Sequence, residues 1–105
     1  MADFTITIRL VDNAHAVPAP GNIHVYSGDT ITYVPDPPGR AFRVSFESDP
    51  FSDRPPFEIT DSEPHTIKHN GRFFCKCFIV NNDGNEVGWF PAETPESGGD
   101  HDVRP

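Results

Sequence analysis

The chain has 105 residues, with eight Lys or Arg against sixteen Asp or Glu, for a formal net charge of −8. That length holds one domain with a single core, and nine Phe, one Trp and two Tyr supply the apolar mass that a disordered chain lacks. The acidic balance and the scattering of the few basic residues exclude a nucleic-acid partner or an acidic membrane surface.

Asp3 to Leu10 alternates with period two, Phe4, Ile6, Ile8 and Leu10 facing in and Thr5, Thr7 and Arg9 facing out, as a half-buried strand does. An acid at position 3 and this alternation are foreign to a signal peptide, and no apolar run approaches the roughly 20 residues of a membrane span. A soluble, cytoplasmic protein is therefore expected, although a trimmed secreted form would begin in the same way. Asn13 to Gly21, with Pro18 and Pro20, reads as a crossing loop, since Pro cannot donate to a ladder. Ile23 and Val25 start a short strand closed by a Ser27-Gly28-Asp29 turn. Thr30 to Val34, rich in β-branched residues, is the next. Pro35 to Gly39 is a rigid reversal, and Ala41 to Phe46 alternates again with Phe42, Val44 and Phe46 inward.

From 47 to 63 the pattern breaks under Pro50, Pro55 and Pro56, giving a long acidic connection tied down by Phe51, Phe57 and Ile59. His65 to Lys68 is a short strand leading into the strongest one, Gly71 to Val80. There Phe73, Cys75, Cys77 and Ile79 share one face and Phe74, Phe78 and Val80 the other, with Lys76 the interruption. Asn81 to Asn85 is a hairpin signal, and Val87 to Phe90 returns as the last strand. The domain is thus expected to span residues 1–91, with residues 92–105 an acidic Pro- and Gly-rich mobile tail. Short strands at turn-bounded intervals predict an all-β fold, a single Greek-key β-sandwich of about seven strands.

Two short motifs resemble the plastocyanin-type cupredoxin family of small blue-copper β-sandwiches. One is Val25-Tyr26-Ser27-Gly28-Asp29-Thr30-Ile31-Thr32-Tyr33, similar to the family's strand, Gly-Asp-Thr turn and following strand. The other is Gly71-Arg72-Phe73-Phe74-Cys75-Lys76-Cys77, similar to its Gly-x-aromatic-x-x-x-Cys strand. The resemblance implies a cupredoxin-like sandwich over roughly Phe4 to Trp89 and sets Cys77 where the family keeps its copper thiolate. The other ligands do not follow. Val80 stands where the family has a His, Phe42 takes the place of the second, and the sole Met is Met1. A blue-copper centre needs two imidazoles and a thiolate, so no copper cofactor is expected and electron transfer does not come with the fold.

Cys75 and Cys77, at i and i+2 of one strand, have Cα atoms about 6.5–7 Å apart, at or beyond the reach of an unstrained disulfide. They read as free, buried, hydrophobe-like thiols. The alternative is a Cu or Zn site that adds His65. A three-residue turn at Asn70-Gly71 sets His65 opposite Cys75, whereas a two-residue turn puts His65 and His69 on the other face. The three-residue register keeps Ile67 inside and is preferred. His15, His24 and His101 read as solvated surface residues. No phosphate loop, nucleophile elbow or EF-hand is present, so no enzyme is expected. The aromatic residues Phe74, Phe78, Trp89 and Phe90 point to a small non-catalytic binding module that contacts a protein partner, or a second copy, through an aromatic face.

Overall fold

In the computed structural model of the chain, residues 2–46, 50–51, 57–88 and 99–105 are described below. They form ten strands and no helix: β1 (Asp3–Val11), β2 (His15–Ala19), β3 (Asn22–Tyr26), β4 (Thr30–Asp36), β5 (Phe42–Phe46), β6 (Phe57–Ile59), β7 (His65–Thr66), β8 (Gly71–Val80), β9 (Glu86–Gly88) and β10 (Gly99–Arg104). A four-stranded sheet has the order β2-β1-β4-β7, and a six-stranded sheet the order β3-β10-β8-β5-β6, with β9 also paired to β8. The two sheets close over one core, an all-β sandwich. The chain changes sheet between β2 and β3, β3 and β4, β4 and β5, β6 and β7, and β7 and β8.

Each sheet turns its period-two apolar set inward, because only that face is removed from water. Ile6 and Ile8 on β1 and Ile31 and Tyr33 on β4 are at most 1% exposed. On the facing sheet Val44, Cys75, Cys77 and Ile79 are equally buried. Phe51 stays inside with an edge-on contact to Phe46 at 5.8 Å, and Ile59 is fully buried, so both anchor their connection as expected. The side chain of Phe57 lies outside the described residues.

The Ser27-Gly28-Asp29 turn forms as read, with Gly28 at φ 97° in the left-handed region that favours Gly. The Asp29 carboxylate accepts the backbone N–H groups of Ala2 and Tyr26, each at 2.9 Å, and so ties the start of the chain to the β3–β4 turn. Those two bonds hold its pKa below the ordinary carboxylate value. The second hairpin also forms. Asn81 donates its backbone N–H to the Asn85 carbonyl at 2.8 Å, and β9 returns along Val80, Ile79 and Phe78.

Three segments differ from the sequence reading. His15–Ala19 is a strand, not a loop. It pairs with β1 alone, at the sheet edge, where Pro18 opposite Ile8 interrupts no second ladder. Phe57–Ile59 forms a short edge strand on β5. The largest difference is β10, within the expected mobile tail. Gly99–Arg104 lies between β3 and β8, parallel to the first and antiparallel to the second, and buries His101 and Val103. Residues 92–98 of that tail lie outside the described residues.

Candidate partner-binding face and the buried thiols

The outer side of the six-stranded sheet carries the aromatic residues that the sequence singled out on β8. Strand alternation turns Arg72, Phe74, Lys76 and Phe78 away from the core, and Phe74 is 60% exposed. Phe78 is not equivalent to it. The Arg43 guanidinium sits 3.8 Å from its ring centroid, and a side chain at Gly88 would meet the ring at 3.1 Å, so Phe78 is half-buried under its neighbours. Arg43 is itself fixed. It grips Glu86 through two N–H groups at 2.8 and 3.0 Å and Glu58 through a third at 3.1 Å. The Arg43 hydrogen bonds hold the Glu86 carboxyl below its ordinary pKa. Trp89 and Phe90, the other two expected contact residues, lie outside the described residues.

A second exposed aromatic residue joins Phe74. Tyr26 on β3 is 59% exposed and stands opposite Arg104 of β10. Between the two rings run His24, Asp102 and Arg72 in cross-strand register. Asp102 takes His24 at 3.1 Å and Arg104 at 3.6 Å, while the Arg72 guanidinium lies 5.7 Å from the Phe74 centroid. Tyr26, His24, Val25 and Arg104 line a depression at this end. Sequence reasoning missed Tyr26. The signal was the alternation of Ile23 and Val25 with Asn22, His24 and Tyr26, which sends the second set outward.

On the inner side of β8 the two thiols are unbridged, with Cys75 1% and Cys77 0% exposed and their sulfurs 3.9 Å apart. The expected partner His65 is not with them. Neither turn considered at Asn70-Gly71 exists, because β7 and β8 belong to different sheets. His65 pairs with Ile31 of β4, bonds to Asp61 at 2.9 Å and packs against Phe51. Backbone bonds from Lys68 and His69 to the Pro50 carbonyl, and from Ile67 to the Asp29 carbonyl, fix this crossing and rule out a hairpin.

His101, expected on the surface, is 1% exposed. Its Nε2 lies 2.7 Å from the Tyr33 hydroxyl, so the pair joins β10 of one sheet to β4 of the other. Burial, and then the two nearby cysteines, push the Tyr33 phenol well up from its ordinary pKa, which keeps it neutral. Val103 alone among the aliphatic residues shares the inward face of β10 with His101, while Asp102 and Arg104 face out, so the sequence carried no clear signal for its burial.

The residues present do not fit a blue-copper centre. Cys77 lies opposite Val44 and Phe42 opposite Ile79, so the thiolate position is enclosed by aliphatic and aromatic groups. Among the described residues, no three His, Cys, Asp or Glu side chains converge as a metal site would require.

No family model and no curated protein matches the chain. Solved structures do. A pseudoazurin from Hyphomicrobium denitrificans superposes with a TM-score of 0.56 at 17% identity, covering 96% of this chain and 74% of its own. A pseudoazurin from Sinorhizobium meliloti gives 0.53 at 13% identity, over 100% of this chain and 76% of its own. A purple cupredoxin from Nitrosopumilus maritimus gives 0.53 at 14% identity, over 95% of this chain and 98% of its own. Likeness at this identity establishes the architecture, a cupredoxin-like fold.

Proposed function

We propose that this cupredoxin-like sandwich is a non-catalytic interaction module that contacts a protein partner through the outer side of β3, β10 and the first half of β8. The observation that carries the reading is Phe74, a large aromatic side chain held 60% exposed on an internal strand of a sheet. A rigid strand presents it without the ordering entropy that a loop residue loses on binding, and aromatic anchors dominate binding energies. Arg72, Lys76 and Arg104 point to the same side in a chain of net charge −8, which favours a partner that sets an acidic group beside an apolar one. Phe78, capped by Arg43, belongs to the support of this face.

The test is affinity capture with wild type and Phe74→Ser, followed by titration of each protein that wild type alone retains, purified, against both. Loss of an anchor costs about 2 kcal/mol or more, so roughly 30-fold weaker binding by Phe74→Ser is expected. A purified partner that binds Phe74→Ser as tightly as wild type would refute the assignment of the face.

A further inference from the structure

The six-stranded sheet ends at β3, whose one neighbour among the described strands is β10. An outer strand offers a row of backbone N–H and C=O groups to any chain that can pair with it, and folds blunt such rows with Pro, brevity or cover. Three outer strands of this sandwich are blunted, since β2 carries Pro18, β6 has three residues and β7 has two. β3 has five residues and no Pro. We propose that β3 is the docking edge for an extended segment of the protein partner, an alternating acidic and apolar peptide that adds a strand to the sheet. This deepens the reading of the adjoining face as a contact site and rests on it.

The ladder fixes which groups are offered. Ser27 donates its N–H to the Arg104 carbonyl at 2.9 Å. In a parallel ladder the backbone groups of alternate residues turn to the same neighbour. Ile23 and Val25 therefore bond to β10 as Ser27 does, and Asn22, His24 and Tyr26 turn their groups to the open side. Tyr26 is already engaged: its N–H goes to the Asp29 carboxylate at 2.9 Å and its carbonyl accepts the Asp29 N–H at 3.1 Å. The backbone groups of Asn22 and His24 have no such partner among the described residues.

A strand centred on His24 exchanges both bonds with it, and its side chains then fall into two sets. Those on the outer side stand beside His24 and Tyr26, where Arg104 lines the same depression, so a carboxylate there meets a cation and an apolar group meets the exposed Tyr26 ring. Those on the inner side continue the row of Ile23 and Val25 at the rim of the core, which selects aliphatic residues. A second copy of this chain fits less well. Two-fold pairing about His24 would set two imidazoles opposite each other between bodies that each carry a net charge of −8.

The probe is a displayed library of random short peptides, selected on the full-length protein, with the enriched sequences then titrated as synthetic compounds. Acidic residues alternating with apolar ones are the expected consensus. His24→Pro removes an edge N–H and leaves the β3–β10 ladder whole, so it should keep a native far-ultraviolet circular dichroism spectrum and bind at least ~10-fold more weakly. His24→Ala keeps that N–H and should bind within about 3-fold of wild type. N-methylation scanned along the peptide reads the same bonds on the unaltered protein, and should weaken binding at every second residue only. No enrichment overturns the proposal, and so does binding that survives in a folded His24→Pro variant or a methylation scan without alternation. Phe74 lies two strands in from this edge and separates the two readings. A partner whose affinity falls with Phe74→Ser and holds with folded His24→Pro keeps the face and removes the edge.

Discussion

Single residues divide into those that hold the sandwich and those it displays. Tyr33 and His101 form a buried polar pair between the sheets, and removing the Tyr33 hydroxyl takes away a hydrogen bond made inside the core. Tyr33→Phe should therefore cost about 1–3 kcal/mol in chemical denaturation. Phe74→Ser, on the exposed side, should stay within about 0.5 kcal/mol of wild type, so any loss of binding is read without loss of fold. Asp29 makes a pH prediction. Its folded pKa lies below the ordinary carboxylate value of 3.8, so the stability it contributes is complete above that pH and is lost as pH falls through the folded value. Asp61 and Glu86 shift in the same direction, through His65 and Arg43 respectively, and add to this acid limb. Melting temperatures from pH 6 down to pH 2.5 should fall for wild type and flatten for Asp29→Asn. An unchanged acid limb in that variant would remove Asp29 from the explanation.

Elements were legible in proportion to how completely their residues obey one period. β1 and β5 declared themselves through apolar residues on every second position, β4 through its β-branched residues and β8 through apolar residues on both faces, and each buries alternate positions. β2 was hidden because Pro18 signals a break, whereas an edge strand tolerates it on the side that has no neighbour, and β6 because it is only three residues long and follows Pro55 and Pro56 in sequence. β10 was hidden for a different reason. Its inward positions are His101 and Val103, and a single aliphatic residue among charges carries no visible alternation until a Tyr hydroxyl across the core satisfies the imidazole. The same strand supplies an element-scale prediction. Because β10 lies between β3 and β8, truncation after residue 98 strips both neighbours of their ladder, and the shortened chain should lack a cooperative unfolding transition. A sharp native-like transition in the truncated protein would show that β10 is dispensable.

For the molecule as a whole, sequence reasoning reached the sandwich and the cupredoxin-like fold through the Gly28-Asp29-Thr30 turn, which joins β3 to β4, and the Gly71–Cys77 stretch, which opens β8. The candidate site was legible only in part. Alternation told that Phe74 and Phe78 face outward together. It could not tell that Arg43, brought over from β5, caps one ring and leaves the other bare. Likewise the cysteine pair was visible, but placing His65 beside it required knowing that the chain changes sheets at Asn70. Such cross-strand facts depend on topology, which a local pattern does not encode.

The account turns on a cupredoxin-like scaffold whose Cys77 lies opposite Val44, beside the Phe42–Ile79 pair, and where the described residues bring no set of His and Cys side chains together as a blue-copper plane needs. The visible spectrum of the freshly purified protein after addition of one equivalent of Cu²⁺ tests this most directly. The account predicts a spectrum without an intense thiolate-to-Cu²⁺ band, including in Phe74→Ser, whereas a strong stoichiometric band that vanishes in Cys77→Ala would contradict it and return the chain to electron-transfer chemistry.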